Sequence, residues 1–336
     1  MDVVIKSFNR PYYLERCLKS IRQHIRGYAS IIVLDDGTPE QYLDKIQTGF
    51  PDIRIYRSEY YSQKAEAIQL HLCGKKAYAQ LNIPVRFWRE HIERVSDFFL
   101  LLEEDAWVTQ PIDLGVLSET MRKNNVNITK LFWASSKDII RGEKTKLNRE
   151  VELIAPQLPI QNQAFASVLL TNKYRLKSLL IKCNVITSRF FLPYYNLYTV
   201  SSAIFNKQYW LYLWKDAQEL VNESEQLKKA LLWMNLHKQR TFAKSPEERI
   251  KTSYITTSVN SFRSIHFDFI KFNHYLNQAW FQNKLDVMEN FPNDFTERYL
   301  GSFIQSQNDS SCSITQWKRW VKAFKSQFTS MGLTTD

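Results

Sequence analysis

Three runs of consecutive apolar residues constrain this chain more than any other feature: Val-Val-Ile at 3–5, Ile-Ile-Val-Leu at 31–34 and Phe-Phe-Leu-Leu-Leu at 98–102. Uninterrupted runs of this kind suit strands buried on both faces, as in a parallel sheet. Between the first two, Leu14, Cys17, Leu18, Ile21 and Ile25 repeat at helical spacing, with Pro11 in the first turn and Gly27 at the end. Residues 53–56 read as a further strand and 63–80 as a helix. Strand and helix in alternation predict a mostly parallel α/β sheet with helices on both faces. Beyond residue 115 the pattern predicts strands at 130–134 and 164–170 and a long helix at 216–238. A last helix at 268–290 carries Phe269, Phe272, Leu276 and Trp280 on one side. No repeat and no low-complexity linker interrupts the chain.

The buried strands end in polar residues: Ser7 and Asn9 after the first, Asp35 and Asp36 after the second, Glu103-Glu104-Asp105 after the last. Open α/β sheets bind ligands at the carboxyl ends of their strands, so these residues are expected to converge on one site. Three carboxylates at the mouth of a buried strand cost stability unless a cation compensates them. Mg2+ or Mn2+, which take carboxylate and phosphate oxygens, would fit; an acidic loop in a basic protein is the plainer alternative.

Together, residues 3–21 (VVIKSFNRPYYLERCLKSI), 31–38 (IIVLDDGT) and the Glu-Glu-Asp triplet resemble family 2 glycosyltransferases of the GT-A fold. The resemblance covers about residues 1–115. It implies a nucleotide-sugar donor, with Ser7, Phe8, Asn9, Arg10, Asp35, Asp36, Glu103 and Glu104 around it. Asp36 would accept from the base, taken as uracil, and Asp105 would hold the Mn2+ or Mg2+ ion against the diphosphate. Lys6 and Phe8 depart from the commoner residues of that motif. Lys64 either reaches the diphosphate or is an ordinary surface lysine. The implied organisation is a nucleotide-sugar-binding half at 1–115, an acceptor half at 116–267 and a helical C-terminal extension at 268–336.

A carboxylate that deprotonates the acceptor hydroxyl is harder to place. No Asp or Glu occurs between Glu152 and Asp216, a span that carries seven Lys and Arg residues. Asp216, Glu248 and Asp268 are candidates, and none stands out. His266, in Ile-His-Phe-Asp-Phe, is a candidate second metal ligand or a structural histidine, and Asp268 could simply cap the helix that follows.

The net charge of +11 suggests an anionic partner. In the tail, Trp317, Trp320, Val321, Phe324 and Phe328 share one helical face opposite Lys318, Arg319, Lys322 and Lys325. That face suits an anionic membrane surface through 317–328, and equally suits packing on the body. A membrane contact would favour a lipid-linked acceptor over a free glycan. Four scattered cysteines, an early first strand and the lack of a membrane-spanning run suggest a cytoplasmic protein, peripheral on the inner face of a membrane if the tail engages it. The competing readings are an inactive relative and a basic nucleic-acid- or anion-binding protein. No nucleic-acid motif supports the latter, so nucleic acid is not expected as a partner.

Overall fold

The structure is a computed structural model that describes residues 1–79, 82–217, 221–237, 241–260, 262, 264–307 and 309–335. Nine strands form one sheet: β1 Asp2–Ser7, β2 Ile31–Asp35, β3 Arg54–Arg57, β4 Phe98–Glu103, β5 Val126–Lys130, β6 Gly142–Lys146, β7 Glu152–Pro156, β8 Ala203–Asn206 and β9 Thr241–Lys244. Their order is β3-β2-β1-β4-β8-β5-β9-β7-β6. The first four are parallel, β8 runs antiparallel to both β4 and β5, and β9 is parallel to β5. The helices are α1 Pro11–His24, α2 Glu40–Gly49, α3 Tyr61–Leu72, α4 Val85–Ile92, α5 Leu114–Lys123, α6 Gln163–Leu170, α7 Leu176–Lys182, α8 Lys207–Trp214, α9 Glu223–Leu236, α10 Phe269–Phe281, α11 Glu297–Gln305 and α12 Ile314–Thr329.

Strand residues alternate between two cores, as the pleat requires. Val3, Ile5, Ile31, Val33, Leu100 and Leu102 pack on one face with α1, α2, α5, α10, α11 and α12. Val4, Ile32, Leu34, Phe99 and Leu101 pack on the other with α4, α6, α8 and α9. Residues 3–5, 31–34 and 98–102 therefore lack a polar partner in alternation because both faces are covered. The single sheet runs on past residue 115, from the half expected to bind the nucleotide-sugar into the half expected to bind the acceptor.

Several elements differ from expectation. Residues 164–170 form helix, not strand: Asn162 caps α6 by accepting from Phe165 N, and Ala166, Leu169 and Leu170 bury one helical face. The strand expected at 130–134 lies earlier, at β5. Its buried Asn127 and Thr129 disguise it, and Ala134 and Ser135 sit at φ 50° and 54°, which breaks extension. Of the long helix expected at 216–238, α9 forms Glu223–Leu236, begun by an Asn222 cap; residues 218–220 and 238 lie outside the described residues. The helix expected at 268–290 stops at Phe281, followed by left-handed Asn283. The helix expected at 63–80 ends at Leu72, and Ile25 leaves α1 to pair with Ile112.

The tail is turned inward, which corrects the membrane-facing alternative for 317–328. Trp317, Trp320 and Val321 are buried, and the two indole N–H groups donate to Ile255 O at 2.8 Å and Asn260 O at 3.1 Å. Truncating a tryptophan buried this way costs about 3–5 kcal/mol, more than a surface contact could recover. Among the described residues no helix is long and apolar enough to cross a membrane. All four cysteines are free, Cys17 and Cys312 buried, Cys73 and Cys183 exposed.

Candidate functional site

Register brings the polar strand ends side by side. Ser7 pairs with Asp35 across β1 and β2, and Lys6 with Glu103 across β1 and β4. A cleft of about 640 Å3 opens over them, lined by Ser7, Phe8, Arg10, Asp36, Lys64 and Glu103 to Asp105. Asn9 and Asp35 lie behind this lining and shape it. Asp35 accepts from Gly37 N, Thr38 N and Thr38 Oγ1, tying the turn that follows β2. Asn9, left-handed at φ 55°, donates its N–H to Thr38 Oγ1 and accepts from Asn277 Nδ2 on α10. Gly37 is required here: at φ +130° a Cβ would fall 2.6 Å from Lys64 Cβ and 3.2 Å from Phe8.

At one end of the cleft, Phe8 and Tyr78 face each other with ring centroids 6.4 Å apart. Asp36 closes that slot, accepting from Ser58 Oγ at 2.5 Å and ion-paired with Lys64, which is buried and no surface lysine. Burial pushes the Asp36 carboxyl up to about 6, although Lys64 and Ser58 pull it down.

The acidic triplet has cations of its own. Lys6 Nζ lies 2.8 Å from Glu103. Arg10, just before Pro11, reaches Glu104 and Asp105, each at 2.9 Å, and donates to Thr256 Oγ1 at 3.2 Å. The cations do not balance the site, because five lining carboxylates, counting Glu223, face three cations. Burial pushes Glu104 up to about 7; Arg10 opposes this, and the neighbouring Asp105 and Glu103 charges add to it. Burial raises Asp105 as well, against Arg10. Burial would raise Glu103 too, but Lys6 and Arg10 outweigh it and hold the carboxyl low.

Among the described residues no group of three or more His, Cys, Asp or Glu side chains is arranged to hold a metal. Mg2+ and Mn2+ need fewer when a diphosphate completes the shell, since one or two carboxylates then suffice. The surplus of acid at Glu104 and Asp105 fits such an ion. His266 is exposed and does not line the cleft; it borders a separate shallow depression with Asp268 and Gln316.

The candidate bases fall elsewhere. Asp216 is exposed beside Lys229. Glu248 accepts from Trp133 N and Ser135 N, which fixes a turn. Asp268 caps α10 by accepting from Lys271 N and accepts from His71 Nε2 at 2.7 Å, while His71 Nδ1 accepts from Tyr78 N. None of the three lines the cleft.

The carboxylate that does line it is Glu223, which sequence reasoning passed over. It sits in the first turn of α9, and Tyr195 Oη donates to it at 2.8 Å. Burial raises its pKa against the Tyr195 hydrogen bond, and the Glu103 charge raises it further. The available signal was an Asn-Glu cap with an acid in the first helical turn.

A second missed feature is the hydroxyl-rich segment 252–260. It is anchored to the first loop, with Ser258 Oγ donating to Phe8 O and Tyr13 Oη to Ser253 Oγ. Tyr254 of this segment forms a ring cluster with Phe324 and Phe328 of α12 that lines the cleft, with Tyr254 and Phe328 centroids 5.0 Å apart.

Residues 2–72 match the family model described as glycosyl transferase family 2. No curated protein matches the chain. Among solved structures it is similar to S. aureus TarS 1-349, at 12% identity and TM-score 0.39 over 97% of this chain and 72% of that one. The same TarS fragment with UDP-GlcNAc gives 12% and 0.40, over 97% and 80% of the two chains. Glucosyl-3-phosphoglycerate synthase from Mycobacterium tuberculosis gives 11% and 0.36, over 85% and 80%. The matched segment contains β1 to β3 and the Asp35-Asp36-Gly37 turn that shape one end of the cleft, so the likeness to family 2 glycosyl transferases rests on this N-terminal segment.

Proposed function

We propose that the chain transfers a sugar from a UDP-sugar to a hydroxyl of a glycan, free or carried on a lipid, with Glu223 as the proton acceptor. The observation that carries this reading is the meeting of Glu223 with Asp36, Glu104 and Asp105 in one cleft. Phe8 and Tyr78 would stack the base, and the Asp36 carboxylate would accept from the imide N–H of uracil. Asp105, with Glu104, would hold a divalent cation that neutralises charge on the departing diphosphate.

The acceptor would lie against the hydroxyls of 252–260 and the adjoining Tyr254, Phe324 and Phe328 rings. A pyranose offers an apolar face to aromatic rings and hydroxyl edges to Ser and Thr, so both kinds of side chain find a use. Glu223 would take the acceptor O–H proton as the acceptor oxygen bonds to the anomeric carbon. The bond from that carbon to the phosphate oxygen then breaks, and its electron pair leaves with UDP. This single displacement inverts the anomeric centre. A carboxylate raised by burial is a better base for the task than an exposed one.

A thermal-shift screen of nucleotides and nucleotide-sugars with and without Mn2+ tests the reading. Selective, metal-dependent stabilisation by UDP or a UDP-sugar is the expected result. Stabilisation by another nucleotide alone would overturn the uracil assignment, and no response to any would overturn the donor site.

A further inference from the structure

The excess of positive charge lies outside the cleft, and one stretch of the chain carries cations with no acid among them. Between Glu152 and Asp216 the chain has no acidic residue. Within that span α6, α7 and the turn at 173–175 pack together. Their outer side carries Phe165, Tyr174, Leu179 and Val185, at 47%, 83%, 56% and 65% exposure. These are four of the eight large apolar side chains exposed among the described residues. Lys173, Arg175 and Lys182 are exposed between them and have no carboxylate partner among the described residues. Tyr174 and Arg175 are both held at φ 57°, a left-handed conformation uncommon for non-glycine residues, and it leaves the Tyr174 ring in solvent.

We propose that this surface, and not the tail helix, docks the protein on an anionic membrane. Apolar tips interleaved with cations, on a segment that has no acid of its own, match a bilayer interface, where side chains such as Leu179 and Val185 enter the acyl boundary and lysines meet the headgroups. A second copy of the chain would bring two acid-free cationic patches face to face, which charge disfavours. Nucleic acid would use the cations but gives exposed aliphatic side chains nothing to stack on. The proposal stands apart from the assignment of the cleft.

Sedimentation with phosphatidylcholine vesicles, with and without phosphatidylglycerol, tests it on the full chain. The wild type should bind the anionic vesicles, release in high salt and ignore the neutral ones. F165S/L179S/V185S and K173E/R175E/K182E should each weaken binding about tenfold or more. All six substituted side chains are exposed, so the thermal transition serves as the folding control. A polarity-sensitive dye on Cys183, in a Cys73→Ser background, should shift to the blue on anionic vesicles only. Equal binding to both vesicle types, or unchanged binding by both variants, overturns the proposal. So does a wild type that ignores vesicles while K173E/R175E/K182E loses affinity for a single-stranded oligonucleotide.

Discussion

The cleft and the α6–α7 surface are built from the same kinds of residue, used in opposite ways. In the cleft, Lys6, Arg10 and Lys64 are buried, and each is spent on a carboxylate. On the α6–α7 surface, Lys173, Arg175 and Lys182 are exposed beside bare apolar tips. A net charge of +11 therefore misleads as a guide to the cleft, whose lining has more acid than base. The excess charge belongs to the surface, while the cleft is left with an appetite for cations.

That contrast can be broken in order of expected effect. Asp105→Ala should abolish metal-dependent donor binding by calorimetry while the fold persists, because the residue sits at a strand end. Donor affinity that keeps its metal dependence in this variant would remove Asp105 from the site. Glu223→Gln should lower kcat about 100- to 10,000-fold with donor affinity unchanged, the range for loss of a general base; an equal loss in affinity would make Glu223 a binding group instead. Arg10→Met strips the buried carboxylates of their cation and should cost about 3–5 kcal/mol at pH 8. Without Arg10 the native pKa values of Glu104 and Asp105 rise further, and an acid raised on folding destabilises progressively as pH rises. The loss should therefore shrink at pH 5, read from urea midpoints.

Asp294 makes a finer test. Burial raises it to about 6 despite hydrogen bonds from Ser253 and Tyr13, so its contribution is intact below about pH 4 and fades as pH climbs through 6. Asp294→Asn keeps an acceptor for Tyr13 and Phe295 N, and should gain a few degrees of Tm over the wild type at pH 8 but not at pH 4. The smallest effect belongs to the surface. K173E/R175E should leave stability within about 0.5 kcal/mol and donor affinity within about twofold, since neither residue lines the cleft.

The first half of the sheet was legible because β1, β2 and β4 are buried on both faces and read as pure apolar runs. Their polar ends were legible for the same reason: burial stops where the ligand side begins. β5 was displaced in the reading because Asn127, Thr129 and Lys130 are buried polar residues on a strand, which only tertiary partners permit. Lys130, for instance, donates to Tyr198 O. An apolar run such as 164–170 fits strand or helix equally, and the Asn162 cap decided it. Glu223 stands 118 residues after Asp105 in sequence, so no local spacing relates them. The aromatic stripe of α12 had the right period but could not say what it faces.

The position of β8 has a consequence for how the chain is made. β4 and β5 are not neighbours; β8, about seventy residues further on, fills the gap between them. A ribosome that has released the first 130 residues has therefore produced two strand edges, one on β4 and one on β5, whose shared native partner has yet to be made. They stay open until residues 203–206 emerge, and open edges invite pairing with other chains. Expression yield should thus depend on translation speed and chaperone supply across that interval more than on the stability of the finished fold.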